Sequence, residues 1–151
     1  MKIWIDGDAC PNSIKEVLFR AAIRTKTPLT LVANHFVQLP PSPFITRQIV
    51  EQGFDVADDT IVDQLDASDI VITADIPLAN DVLEKGACAI NPRGELYSIE
   101  NIKHILAMRN FNESLRETGQ LTGGPPKLSN VDTQKFSNQL DRLLTQRALR
   151  K

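Results

Sequence analysis

The sequence predicts an α/β fold on a mostly parallel sheet. Three observations carry that expectation. Short apolar runs recur as candidate buried strands: IWI at 3–5, LTLVA at 29–33, DIVIT at 69–73 and CAI at 88–90. Stretches with helical periodicity, about ten to fifteen residues long, separate several of them, as in βαβ units. Pro11 and Pro77 stand just beyond two of the strands, where proline opens a helix.

Residues 2–6 form the first strand, and 12–24 (NSIKEVLFRAAIR) form an amphipathic helix with Ile14, Val17, Leu18, Ala21 and Ala22 on one face. Pro28 ends that connection, and LTLVA is the second strand, closing on Asn34. The three prolines of QLPPSP at 38–43 make a loop. Residues 44–51 fit either a short helix or an irregular strand. Gly53 starts a turn, and a helix from about Ala57 places Ile61, Val62 and Leu65 inward. Its first turn holds Asp58 and Asp59, where carboxylates complement the helix dipole. DIVIT runs into Ala74, Asp75 and Pro77, and the next helix covers 78–85. CAI is a strand, NPRG a turn and GELYS a candidate edge strand. A long helix is expected over 99–118, a loop over 121–130, and a last amphipathic helix over 132–149 with Phe136, Leu140, Leu143 and Leu144 inward.

The 151 residues suit one domain, with an α/β part at 1–98 and a helical C-terminal extension at 99–151. An apolar fraction of 42% and a charged fraction of 24% place the chain with ordinary globular proteins rather than disordered ones. No apolar run approaches the roughly 20 residues of a membrane span. The apolar stretch after Met1 breaks at Asp6, so it makes no signal-peptide core. Two cysteines without a paired spacing suit a reducing cytoplasm. Charge is uneven: residues 1–102 carry 15 acids and 8 bases, and residues 103–151 carry 4 acids and 9 bases. A solvated helix face with a basic terminus, or a metal site beside a phosphate-tracking surface, would each produce that pattern.

Acids stand where strands end. The first strand delivers Asp6 and Asp8, the second Asn34, and DIVIT delivers Thr73 and Asp75. In a parallel sheet these groups share one edge, the edge at which α/β proteins bind ligands. Carboxylates within about 4 Å repel by about 4 kcal/mol per pair at an effective dielectric near 20. A divalent cation, Mg²⁺ or Mn²⁺, removes that repulsion, activates water and offsets phosphodiester charge. Capping and turn formation are the competing roles for Asp58, Asp59 and Asp75, each near a helix start. Asp63, Asp66, Asp69 and Asp81 read as surface, cap or turn residues.

DGDACP, VAN at 32–34, GFDVADDTIV, ITADIPLA, NPRGELY and TGGPP at 122–126 appear in order. In these blocks the chain resembles the YaiI/YqxD family of uncharacterised bacterial proteins along nearly its whole length. The resemblance implies a Rossmann-like, three-layer PIN-like domain, related to the NYN and flap-nuclease groups. It implies a metal-dependent nuclease in which Asp6, Asp75 and Asp8 hold Mg²⁺ or Mn²⁺ with help from Asp58 or Asp59. Its substrate would be RNA or single-stranded nucleic acid. Pro77 stands where flap-type nucleases often carry a further acid. Gly7 replaces the family's usual alanine, keeps both flanking acids and loosens the backbone.

Other candidates complete the expected site. Arg20, Arg24 and Arg93 are candidate phosphate contacts, since guanidinium groups pair bidentately with phosphate. Arg109, Arg116 and Lys127 of the tail would hold flanking phosphates. Asn34 would orient water or phosphate, or simply end its strand. Gly123 to Pro126 form a stiff loop able to line the site. Cys10 reads as a small packed residue, Cys88 as core and His35 as a loop residue. His35 and His104 make no zinc pattern. With few aromatics and Trp4 buried, contacts to the nucleic-acid backbone are expected rather than base reading. Two alternatives stand beside the nuclease. One is a non-catalytic metal- or nucleic-acid-binding module of the same fold. The other is a phosphatase of the haloacid-dehalogenase type, which DGDAC resembles with Cys10 in place of threonine or valine.

Overall fold

A computed structural model describes residues 1–7, 10–51, 56–105, 107–108 and 128–149. Its strands are β1 (Ile3–Asp6), β2 (Leu29–Ala33), β3 (Ile45–Ile49), β4 (Ile70–Ile72) and β5 (Cys88–Ile90). They form one sheet in the order β3-β2-β1-β4-β5, and every pairing is parallel. The helices are α1 (Asn12–Thr25), α2 (Val56–Gln64), α3 (Ile76–Glu84), α4 (99–105) and α5 (Asn130–Leu149).

Strand alternation divides the core into two halves. Ile3, Ile5, Leu29, Leu31, Ile70 and Ile72 pack on one face with Leu18 of α1 and with Phe136 and Leu140 of α5. Trp4, Val32 and Val71 pack on the other with Ile61 of α2, Leu78 and Val82 of α3, and Ile102 of α4. The result is the expected three-layer α/β architecture.

Residues 45–49 are a strand, which decides between the two readings of that stretch. β3 is one edge of the sheet, and β5 is the other. Only Ile45 of the five β3 residues is buried, so the run lacks the continuous apolar signature of an inner strand. GELYS adds no strand, only an isolated antiparallel bridge between Ile90 and Leu96. Cys88 is half-buried against the core rather than within it. α3 begins at Ile76, with Pro77 inside its first turn, and α5 begins at Asn130, two residues earlier than expected. The turn at Gly53, residues 109–118 of the expected long helix and residues 121–127 of the expected loop lie outside the described residues.

Asp69 departs furthest from its expected surface or turn role. It is buried, and its carboxylate accepts three hydrogen bonds: from the Lys2 backbone N–H at 2.9 Å, Trp4 Nε1 at 2.9 Å and the Asp66 backbone N–H at 3.0 Å. One side chain thus ties the start of β1 to the turn entering β4. The Lys2 ammonium lies 4.9 Å from the centre of the Trp4 ring.

The C-terminal helix is docked through the turn that comes after β5. Gly94 has φ +86°, and a Cβ there would sit 2.7 Å from the Phe136 backbone nitrogen. Only glycine allows that approach. At the start of α5, Ser129 Oγ accepts from the Asp132 N–H at 3.3 Å, and Asp132 accepts from the Ser129 N–H at 3.0 Å, a reciprocal cap. Arg93 reaches across to Asp132 at 2.8 Å. Hydrogen bonds from Ser129, chiefly its backbone N–H, hold the Asp132 carboxyl below its ordinary pKa, and Arg93 adds to the effect.

Asp69→Ala will leave three donors without their acceptor. Hydrogen bonds to charged groups and unpaired buried donors set the scale, about 3 kcal/mol of lost stability. Urea unfolding should show the midpoint falling at constant slope, with Trp4→Phe, which removes one of the three donors, costing less.

Candidate functional site

Strand order reverses between β1 and β4. The chain moves outward from β1 to β2 and β3, then returns to β4 and β5 on the other side. At such a switch point the loops leave the sheet in opposite directions and open a crevice at the carboxyl ends. Ile5 pairs with Ile72, so Asp6 and Thr73 each come one residue later on adjacent strands. Neighbouring strands run about 4.8 Å apart, which places these two residues side by side at the crevice. Both are buried, Asp6 at 6% and Thr73 at 2% exposure.

The segment after β4 is held by its own hydrogen bonds. Thr73 Oγ1 accepts from the Asp75 N–H at 3.0 Å. Asp75 Oδ1 accepts from the Leu78 N–H at 3.0 Å and caps α3. Asp75 therefore fills the capping role and still stands at the crevice. Its cap engages one carboxylate oxygen, and the second is the one it can offer to a ligand.

On the other side Val32 pairs with Asp6, and Asn34 lies two residues further on. His35 Nδ1 lies 3.3 Å from Asn34 Oδ1. Gly7 is a closely packed position rather than a loosened backbone. Its N–H donates to the Val32 carbonyl at 2.8 Å, and a Cβ at this position would lie 2.7 Å from Leu31 Cδ2. An alanine there would force Leu31 to move.

Asp58 and Asp59 occupy the first turn of α2, half-buried and exposed respectively. The field of Asp59 reaches Asp81 on α3. Burial first, then the charges of Glu84, Asp59 and Asp75, push the Asp81 carboxyl above its ordinary pKa. Asp59, Asp75 and Asp81 thus share one region of negative potential. This coupling goes beyond the surface or cap role expected of Asp81. Its six-residue separation from Asp75 matches no whole number of helical turns, so spacing alone gives no sign of it.

A cleft of about 410 Å³ opens beside Asp75. Its walls include Pro11 after β1, Ala74 and Ile76 after β4, and Asn91, Arg93 and Tyr97 after β5. Burial chiefly raises the Tyr97 hydroxyl pKa; the side-chain hydrogen bond with Asn91 opposes that, and Glu95 and Asp75 add to it. Tyr97 is thus a cleft residue within the electrostatic reach of Asp75. Its sequence signal is its place in the NPRGELY block. Asn91 Oδ1 accepts from the Arg93 N–H and the Glu95 N–H, both at 2.9 Å, and so shapes the turn.

Cys10 is buried, as expected of a packed residue. Burial dominates its surroundings and pushes the thiol up to about 12, with Lys15 lowering it and Asp6 raising it. At neutral pH it is a thiol and a poor nucleophile.

Among the described residues, no group of three or more His, Cys, Asp or Glu side chains is placed to hold a metal ion. Asp8, Arg109, Arg116, Lys127 and the loop Gly123 to Pro126 lie outside the described residues. Arg20 and Arg24 are not brought to the strand-end acids. α1 starts at the carboxyl edge and runs away from it, so Arg24 lies about 18 Å along the helix axis from Asn12 at 1.5 Å per residue. Arg24 pairs instead with Asp141 of α5 beside a separate hollow of about 190 Å³ that Arg20 also lines. Arg93 does reach the cleft, engaged with Asp132.

Residues 4–146 match the model of the family described as "Uncharacterized BCR, YaiI/YqxD family". The chain belongs to that family. Among its relatives are proteins named "UPF0178 protein". One from Colwellia psychrerythraea is 58% identical over 146 residues, 97% of either chain. Another, from Shewanella sediminis, is 59% identical over 145 residues, 96% of this chain and 97% of its own. A third, from Pseudoalteromonas translucida, is 56% identical over 147 residues, 97% of either chain. No solved structure matches. No helix among the described residues of this YaiI/YqxD protein is long and apolar enough to cross a membrane.

The raised Asp81 pKa has a consequence for stability. The folded state holds that proton more tightly than the unfolded chain, so ionised Asp81 opposes folding. The penalty is absent below the ordinary carboxylate range and complete above the raised value. Asp81→Asn should therefore stabilise the protein at pH 7 and leave it unchanged near pH ~3, where aspartates are largely protonated. Thermal melts at the two pH values will show this. A carboxyl-detected NMR titration should also show the Asp81 pKa falling in Asp75→Asn.

Proposed function

We propose that this chain is a divalent-cation-dependent phosphodiesterase acting on RNA or single-stranded nucleic acid. The observation that carries this reading is the delivery of Asp6 and Asp75 from two adjacent strand ends at the switch-point crevice. Thr73 fixes the backbone of Asp75 there.

Among the described residues the donor set fits one kind of ion. Two carboxylates do not make a closed protein cage. They suit Mg²⁺ or Mn²⁺, which keep several waters and take one or two carboxylates together with substrate phosphate. When bound, the ion would supply an activated water and charge neutralisation at the phosphate. Asp6 and Asp75 would hold it, with Asp8 as a further ligand.

The chain's own groups do the remaining work. Burial of Asp6 keeps it ordered and away from competing water. The capping bond to Leu78 holds Asp75 to one orientation. Asp59 and Asp81 add a negative field that favours a cation. The cleft walled by Tyr97 and Arg93 gives the substrate a site next to the acids. Asp58 extends the acidic edge.

Calorimetric titration of Mn²⁺ into the wild type and into Asp6→Asn/Asp75→Asn is the direct test, followed by cleavage assays on a labelled single-stranded RNA. Saturable binding that the double variant loses, with cleavage falling at least 100-fold, is the expected result. That loss is the scale of removing one major electrostatic contributor to a transition state. Cleavage unchanged in the double variant would overturn the assignment. Mn²⁺ binding without turnover of RNA or single-stranded DNA would assign a non-catalytic module of the same fold. Asparagine is the appropriate replacement at position 75 because it caps a helix as well as aspartate. Asp75→Ala should cost about 1 kcal/mol of stability that Asp75→Asn keeps, measurable by urea unfolding.

A further inference from the structure

Phe36 stands two residues beyond Asn34, past the carboxyl end of β2, and is 65% exposed. The guanidinium of Arg47, on β3, lies 4.1 Å from the centre of the Phe36 ring. Arg47 is itself held in place, donating to the Val37 carbonyl at 3.1 Å. An aromatic ring is thus presented to solvent, backed by a fixed cation, at the edge of the sheet that carries Asp6 and Asp75.

We propose that the Phe36–Arg47 pair is a base-stacking subsite for single-stranded nucleic acid. A nucleobase stacks on the ring face opposite Arg47, and the guanidinium draws the adjacent phosphate. Each part has a physical reason. Any base has a π-face, so a single aromatic platform binds a strand without reading its sequence. A guanidinium stacked on an aromatic ring supplies cation–π attraction and a positive charge together. By strand order the platform lies beyond β2, the acids at β1 and β4, and the Tyr97 cleft at β5. A duplex keeps its bases stacked on each other and gains nothing from the ring.

A protein partner is the competing occupant, since Ile49 of β3 is also exposed. The nucleic-acid reading is favoured because the ring is paired with a fixed positive charge rather than lying in a continuous apolar patch. The subsite rests on the phosphodiesterase reading only for the fate of the bound strand, not for binding itself.

Fluorescence anisotropy in EDTA tests it with no cleavage possible. The probe is a labelled oligouridylate of 12 nucleotides, with a matched duplex and an oligomer abasic at every position as controls. Phe36→Ala should weaken single-strand binding about tenfold or more, the scale of one lost base–aromatic stack. Phe36→Trp should restore it. The abasic oligomer should bind equally to wild type and Phe36→Ala. Equal binding of oligouridylate by wild type and Phe36→Ala, no binding by wild type, or equal loss on the abasic oligomer would each overturn the subsite. Thermal melts of both variants exclude unfolding as the cause. The two proposals separate cleanly, because binding in EDTA is read without any turnover. A Phe36 effect on binding, in a protein that cleaves nothing with Mn²⁺, would keep the platform and remove the nuclease.

Discussion

The buried carboxylate of Asp69 is the constraint on which the rest of the structure depends. It gathers the Lys2 N–H, the Trp4 indole N–H and the Asp66 N–H at the amino end of the β1–β4 pair. Those bonds fix how the two central strands start, and the parallel register then carries the alignment to their other end. A slip of one residue would turn every side chain of a strand to the opposite face. It would drive Ile3 and Ile5 out of one core half and Trp4 out of the other. It would also separate Asp6 from Thr73. The latch therefore acts at a distance from the crevice, through register alone.

At the crevice itself, capping and ligand binding are not competing roles for the same acid. Asp75 closes the first turn of α3 and remains at the strand end, because a carboxylate has two oxygens and the cap engages one. The cost of gathering acids falls on Asp81, whose raised pKa records the field of Glu84, Asp59 and Asp75 on top of its own partial burial. Folding alone gains nothing from that arrangement. A cation held by Asp6 and Asp75 would relieve it.

Much of the fold is legible in the sequence because it depends on local patterns. IWI, LTLVA and DIVIT are inner strands of a parallel sheet and announce themselves as continuous apolar runs, and CAI, at the far edge, reads the same way because two of its three residues are buried. Pro11 and Pro77 mark helix starts through their own backbone geometry. β3 is ambiguous in sequence because an edge strand needs only one buried residue, and ITRQI shows helical and strand periods about equally. Asp69 is illegible for a different reason. Its partner Trp4 is 65 residues away, and an aspartate before a strand looks the same whether it forms a turn or a buried latch. Phe36 reads in sequence as one of a few aromatics, since neither its exposure nor the Arg47 stack is a property of neighbouring residues. The Cβ exclusion at Gly7 comes from Leu31 on the next strand, again a contact that no local pattern encodes.

The C-terminal helix is a wall of the core as well as an extension of the α/β part. Phe136, Leu140, Leu143 and Leu144 complete one half of the core with α1, so removing α5 would expose a face of the sheet to water. Its near end meets the turn after β5 twice: Gly94 admits the helix backbone, and Arg93 reaches Asp132, which also closes the helix cap on Ser129. That turn also carries Asn91 and Arg93, which line the cleft beside Asp75. Hydrophobic burial of α5 on one face is thereby transmitted to the position of polar groups at the carboxyl edge. The last helix serves packing and site geometry at once, because the same short turn answers to both.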